Sequence, residues 1–415
     1  VQLIDLRASA LWLTAGLLGV GFARPCVHAQ SSAPAVPVQA PPAAQATPED
    51  TNSGKLSVRA ATDVAAYADS DHVFVLTPSL SGSVAQPTEG WSVGGQYLVD
   101  VVSAASVDIV STASRRWQEV RQAGALDAAY KPGAFGAAVS GALSVEPDYV
   151  GWTAAAVATQ DLLDQNVTAS FGLSHGHDVA GRTGTPFSVF SHTLDREGLK
   201  AGLTLVLGSA TLATFLFDAG LEHGDPSKPY RYVPLFAPGV SVARGASIGQ
   251  VNELRVSARP LEQLPLVRDR FALTGGLLHR FAAATLRIDE RLYADSWALL
   301  ASSTDARALF DWGRRFELGP HVRVHAQSAV SFWQRAYVLR PGYDFPSLRT
   351  GDRELGPLVG MTLGFTVRFK LGPLGALDQW RLGLDINVTE TRYLDDLYLT
   401  RRLSAFSALF LEAQL

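Results

Sequence analysis

Charged side chains at every second position mark where this chain could do chemistry. In 284–298, Arg287, Asp289, Arg291 and Asp295 share one parity. Asp305, Arg307 and Asp311 do so in 302–317, His321, Arg323, His325 and Arg335 in 321–338, and Arg381 and Asp385 in 379–393. Residues two apart on a strand face the same way, so each set becomes one charged row. Rows of both signs facing water are what pores use to orient polar solutes. A wet interior that simply stores paired charges gives the same pattern. His175 and His177 stand roughly 7 Å apart on one face, a start for a metal site, with no third ligand near them in sequence. His321 and His325 stand roughly 13 Å apart, too far to share one ion unaided. A rim hydrolase could draw on Ser174, His175, His177 and Asp178. No nucleophile elbow, Walker sequence, HExxH or dinucleotide glycine pattern accompanies them. The expectation is no catalytic residue, no metal and no cofactor.

Those rows need strands to carry them. In 379–389, Trp380, Leu382, Leu384, Ile386 and Val388 alternate with Gln379, Arg381, Gly383, Asp385, Asn387 and Thr389. In 355–371, Val359, Met361, Leu363, Phe365, Val367 and Phe369 oppose Gly360, Thr362, Gly364, Thr366, Arg368 and Lys370. Strict alternation of this length is a strand with one apolar and one polar face. From residue 56 on, about sixteen such runs can be read, with fourteen or eighteen as neighbouring counts. Runs of about ten residues tilted near 40° cover roughly 25 Å, the apolar height of a bilayer. No run after 8–23 reaches the length of a membrane helix, so a membrane reading requires strands that close their hydrogen bonds on one another. The expected fold is all-β: a transmembrane antiparallel up-and-down β-barrel over 55–415. Glu290 is the misfit, since it falls on the lipid parity between Ile288 and Leu292. Trp91, Trp117, Trp152, Trp312 and Trp380 suit interfacial girdles, whereas Trp297 and Trp333 carry inward parity and could stack on sugars.

The connections sort by length. With the barrel beginning on the periplasmic side, the periplasmic ones are short: 86–90, 131–133, 164–165, 208–210, 283, 318–320 and 372–378. The extracellular ones include all the long ones: 104–115, 180–191, 224–267 and 339–354. Short turns on one side and variable loops on the other is the asymmetry of outer-membrane barrels. The stretch 224–267 is long enough to carry function. It is expected to hold a weak helix at 261–266, and either to fold into the pore as a constriction, presenting Arg231, Arg255 or Arg259 to a solute, or to form a surface lid or a partly disordered excursion.

At the N-terminus, Arg7 precedes an apolar run, and Val27-His28-Ala29 is a small-residue cleavage pattern. This reads as a secretory signal peptide over 1–29, hence Sec export. Residues 30–54, rich in Ala, Pro, Gln and Ser, cannot bury a core and read as a disordered linker. With Cys26 the sole cysteine, a disulfide framework is excluded. A formal net charge of −4 without a basic stripe excludes a nucleic-acid partner.

Three stretches together carry a family resemblance. They are Asp100–Ser114 with the charged run to Arg121, Tyr293–Trp297 with Gln327–Ala329, and Tyr393–Tyr398 opening the last strand. The chain resembles an uncharacterised family of bacterial outer-membrane β-barrels, catalogued as a domain of unknown function. The likeness covers roughly 56–415 and implies fold and location but no catalytic residue. The expected function is a passive or solute-selective channel with a charged lumen, in contact with outer-membrane lipid and a small polar solute. The alternative is a non-conducting barrel that anchors or assembles a periplasmic partner through 30–54.

Overall fold

The computed structural model describes residues 56–104, 117–340, 342, 344–372 and 379–414. The expected signal peptide and linker lie outside the described residues. Sixteen long strands form the wall. They are β1 (Ser57–Asp69), β2 (Val73–Gln86), β3 (Trp91–Ala104), β4 (Trp117–Tyr130), β5 (Phe135–Glu146), β6 (Tyr149–Leu162), β7 (Val167–Ala180), β8 (His192–Gly208), β9 (Thr211–Gly224), β11 (Val267–Arg280), β12 (Ala284–Asp295), β13 (Leu300–Trp312), β14 (Phe316–Gln327), β16 (Leu358–Leu371), β17 (Gln379–Tyr393) and β18 (Arg401–Gln414). Two short strands, β10 (Leu235–Phe236) and β15 (Tyr337–Val338), pair in parallel outside the wall. Each long strand pairs antiparallel with its neighbours, and β1 closes on β18 from Arg59↔Gln414 to Asp69↔Ser404. The barrel is closed, so it exposes no strand edge.

Alternation decides which way each side chain points. Leu80, Leu126, Leu273 and Leu363 lie on the outer wall, each more than half exposed to the surroundings. Their chain neighbours turn inward. Register is continuous around the wall except for one irregularity at Val206/Gly208, so no strand swaps faces. At the turn end, Tyr130, Phe135, Phe281, Trp312 and Phe316 form an outward aromatic belt. Turn chemistry fixes that end: Gly90 has φ 78°, and a Cβ there would fall 2.3 Å from the Lys131 carbonyl oxygen. Only glycine fits.

Three boundaries differ from the sequence reading. The turn expected at 318–320 is instead at 313–315, where Gly313 supplies a φ of 68°. Pro320 therefore lies inside β14, and pairing with β13 lapses between Arg307↔His321 and Phe310↔Leu318. A proline has no N–H to give the ladder there. The strand expected to reach 338 stops at Gln327, whose side-chain amide donates to the Glu354 and Gly356 carbonyls. Arg335 is consequently a loop residue rather than a strand residue. The helix expected at 261–266 is absent: Leu261 and Gln263 bridge to Tyr232 and Arg349 in extended backbone. A helix forms instead at α1 (Ile248–Leu254), where Ser247 and Gln250 make a reciprocal capping box.

Loops 225–266, 296–299, 328–340, 344–357 and 394–400 pack together at the other end as a cap. Its cores join Phe236, Val242 and Val251 with Leu397, and Leu264, Trp297 and Leu299 with Val330 and Leu355. Burial of this kind removes apolar loop surface from water and holds the loops in one arrangement.

Candidate functional site: the charged lumen and its cap

Most inward charges meet a partner. Arg287 Nε donates to Asp289 at 2.6 Å along its own strand. Arg291 reaches Asp218 at 2.9 Å and Thr274 at 3.3 Å. Asp305 accepts from Arg307 Nε at 2.8 Å and stands 2.8 Å from His321 Nε2. Asp311 pairs with Arg280 near the turn end. His325 contacts Ser303 and Gln327, and Asp385 accepts from Thr366 at 2.5 Å. Arg323 and Arg381 point inward without an ion pair to a described residue. Asp295 sits apart from these. Its buried carboxylate takes Arg268 Nη2 at 2.6 Å, the Tyr293 hydroxyl, and the backbone N–H groups of Trp297 and Leu299. That carboxylate builds the 296–299 turn instead of facing solute.

A cluster on β6 to β12 was not singled out from the sequence. Inward residues Thr153, Ser174, Arg196, Lys200, Asp218, Arg270, Arg291 and Tyr293 line a recess of about 310 Å³. Gly176, Gly198 and Gly220 give it a floor without side chains. Arg196 pairs with Asp178 and Arg270 with Glu222, each at 2.6 Å. Lys200 faces Asp218 across the ladder but makes no ion pair with a described residue. The recess thus holds one cation more than its paired carboxylates balance. The run Arg196-x-Gly198-x-Lys200, beside Asp218-x-Gly220-x-Glu222 on the next strand, was the signal available in sequence.

The loop arginines take separate roles. Arg231 Nη1 donates to Glu262 at 3.2 Å and Asp352 at 2.8 Å, deep in the cap. Arg255 closes α1, bonding Asn252 and the Val256 carbonyl. Arg259 lies 5.7 Å over the Tyr232 ring. Arg335 pairs with Asp395 at 2.6 Å. Burial, with Arg231 nearby, holds the Lys228 ammonium down at about 8, against the pull of Asp352 and Glu262. Burial lifts the Tyr337 hydroxyl to about 12. Trp297 is buried under the Arg268 guanidinium and Trp333 packs on Gly356, so both serve the cap.

The outer wall carries the remaining polar groups. His175 and His177 point outward, each 2.6 Å from a carboxylate, Glu197 and Asp195 respectively. Among the described residues no cluster of His, Cys, Asp and Glu is arranged to hold a metal ion. Glu290 also points outward, at mid-strand, and accepts from Ser302 at 2.6 Å and Thr304 at 2.5 Å. Two hydroxyls on β13, not a bulge, reduce its cost against lipid.

An apolar outside, a charged inside, closure, and loops sorted by end define the class: an outer-membrane-type β-barrel. Residues 50–388 match the model described as "Protein of unknown function (DUF3570)", and the chain belongs to that family. No curated protein matches. Among solved structures, CdiB from Acinetobacter baumannii is similar at 8% identity and TM-score 0.47, covering 86% of this chain; the chain spans 60% of its length. A bacterial polysaccharide outer membrane secretin is similar at 9% identity and TM-score 0.45, covering 88% of this chain and 99% of that one. OccK7 (OpdD) from Pseudomonas aeruginosa is similar at 9% and 0.41, covering 87% and 98%. Likeness this distant says nothing of solute or mechanism.

Proposed function

We propose that this protein is a passive, solute-selective channel of the bacterial outer membrane, with a lumen that favours small anions. The observation that carries the reading is Lys200, a cation without an ion pair to a described residue in a recess of about 310 Å³, among arginines that have theirs. In the ring of strands, β8 and β9 lie opposite β18 and β1. On that far wall Asp63 accepts from the Ser79 hydroxyl rather than from a cation. Arg59 and Arg381 also point inward on or beside that far wall, so the charge on Lys200 acts locally and lowers the cost of an anion beside it.

The test is reversal potential in planar bilayers under a salt gradient. A passing ion about 8 Å from one unit charge, at an effective dielectric of about 40, feels about 1 kcal/mol. Anion and cation shift in opposite directions, so replacing Lys200→Gln is expected to lower the anion-over-cation permeability ratio about thirtyfold at low salt, and less at high salt. A folded, inserted barrel that never conducts overturns the channel. An unchanged ratio in the variant overturns the assignment to Lys200.

A further inference from the structure

Arginines are out of place on a lipid-facing wall, yet two stand side by side on this one. Arg392 and Arg401 are cross-strand partners on β17 and β18, on the outward parity that also carries Val388 and Leu403. They form the last pair of that ladder, at the end bearing the cap. Their side chains are 69% and 61% exposed. Each turns only its Nε to Glu390 Oε1, at 2.8 and 3.1 Å. The terminal nitrogens of both guanidiniums have no bond to a described residue. A third guanidinium joins them: Arg244, exposed, donates through Nη1 to the Leu394 carbonyl at 3.0 Å. The nearby carboxylates are already engaged. Asp395 holds Arg335, and Asp396 accepts from the backbone N–H groups of Tyr398 and Leu399. Arg392 and Arg401 therefore share one carboxylate, and Arg244 is held on the adjoining Leu394 carbonyl.

The position in the wall selects the partner. Below the pair the outer surface is apolar: Val388, Ile386, Leu403 and Leu409 are all exposed. Above it lie the loops. The cluster thus sits where hydrocarbon gives way to headgroups, and an arginine there costs about 0–1 kcal/mol, against about 2–4 at the midplane. Guanidinium nitrogens held outward match phosphate oxygens in paired, charge-assisted bonds. We propose that Arg244, Arg392 and Arg401 form a docking site for the phosphorylated headgroup of a lipid in the membrane leaflet on the cap side. Glu390 acts as a spacer that holds two of the forks parallel. The proposal rests on reading the outer wall as lipid-facing.

The test places the full barrel in phosphatidylcholine nanodiscs containing a minority of phosphatidic acid, whose headgroup is a phosphomonoester. Native mass spectrometry reads how much phosphatidic acid the protein retains. Retention is expected to fall about tenfold in the double variant Arg392→Gln/Arg401→Gln. The pair Arg392→Lys/Arg401→Lys keeps the charge without the fork, and should fall between. Mobility of the compact barrel on an unheated gel scores folding and insertion separately. Equal retention by inserted wild type and Gln variant overturns this proposal alone. Full displacement by excess inorganic phosphate overturns the lipid as occupant. A wild-type barrel that never inserts overturns the membrane reading, and this proposal with it.

Discussion

Replacing Asp295→Ala separates a charge that builds the wall from one that serves the lumen. The carboxylate is fully buried and bonds Arg268 through Nε and Nη2 at 2.9 and 2.6 Å. It also accepts from the Trp297 and Leu299 N–H groups at 3.0 and 2.9 Å. Breaking one side of a buried ion pair costs about 3–5 kcal/mol. Each N–H left without a partner adds about 1–3 kcal/mol where water cannot reach it. Arg268 keeps its place over the Trp297 ring at 4.2 Å, and the 296–299 turn can admit water, so the sum is not additive. The expected loss is about 4–6 kcal/mol. Asp295→Asn retains an acceptor for the turn and should lose about half of that. The assay is urea unfolding of the barrel in lipid vesicles, with reversal potential measured on the same preparations. The reasoning predicts a large loss of stability and an unchanged permeability ratio. Wild-type stability together with altered selectivity would refute it and make Asp295 a lumen residue after all.

Two further outcomes follow from the same geometry. Glu290→Leu should leave the barrel equally stable or up to about 2 kcal/mol more stable in vesicles, because a carboxylate against hydrocarbon is removed and Ser302 and Thr304 can bond elsewhere; a clear loss of stability would mean that another chain covers this face. Lys228, held at about 8 in the folded cap, binds a proton more weakly there than in the unfolded chain, whose lysines titrate near about 10.4. Between those values the unfolded chain carries the extra proton, so stability should rise with pH from about 8 upward, and Lys228→Met should flatten that rise. Melting temperatures below about pH 10 test this, because above it the raised Tyr337 hydroxyl acts in the opposite sense as unfolded tyrosines ionise.

The strand rows were legible because each residue of a barrel strand meets one of two solvents. Val359, Met361 and Leu363 could not trade places with Gly360, Thr362 and Gly364 without putting apolar groups in water and polar ones in lipid. The same argument misplaced the turn before β14, since the alternation carries straight through Pro320 and cannot register that the chain reverses at Gly313. Parity alone places Arg335 in the lumen for a related reason: a period of two continues for a few residues after pairing has ended at Gln327.

Pairs two residues apart, Arg287 with Asp289 and Arg307 with Asp305, were within reach of spacing along one strand, but partnership between strands was invisible. Sequence spacing could place Arg291 on the inner face, but its carboxylate, Asp218, comes from a strand 73 residues away. Arg231 and Asp352 are 121 residues apart and meet only because two loops fold over one end of the barrel.

Alternation along the chain determined the all-β fold, the sorting of faces and the length asymmetry of the loops, because those depend on contacts each strand makes with its surroundings alone. Only the closed structure decided which charges are neutralised, which cap the turns and which stay available. A pair energy depends on distance between segments far apart in sequence, and closure of the ring is what sets those distances.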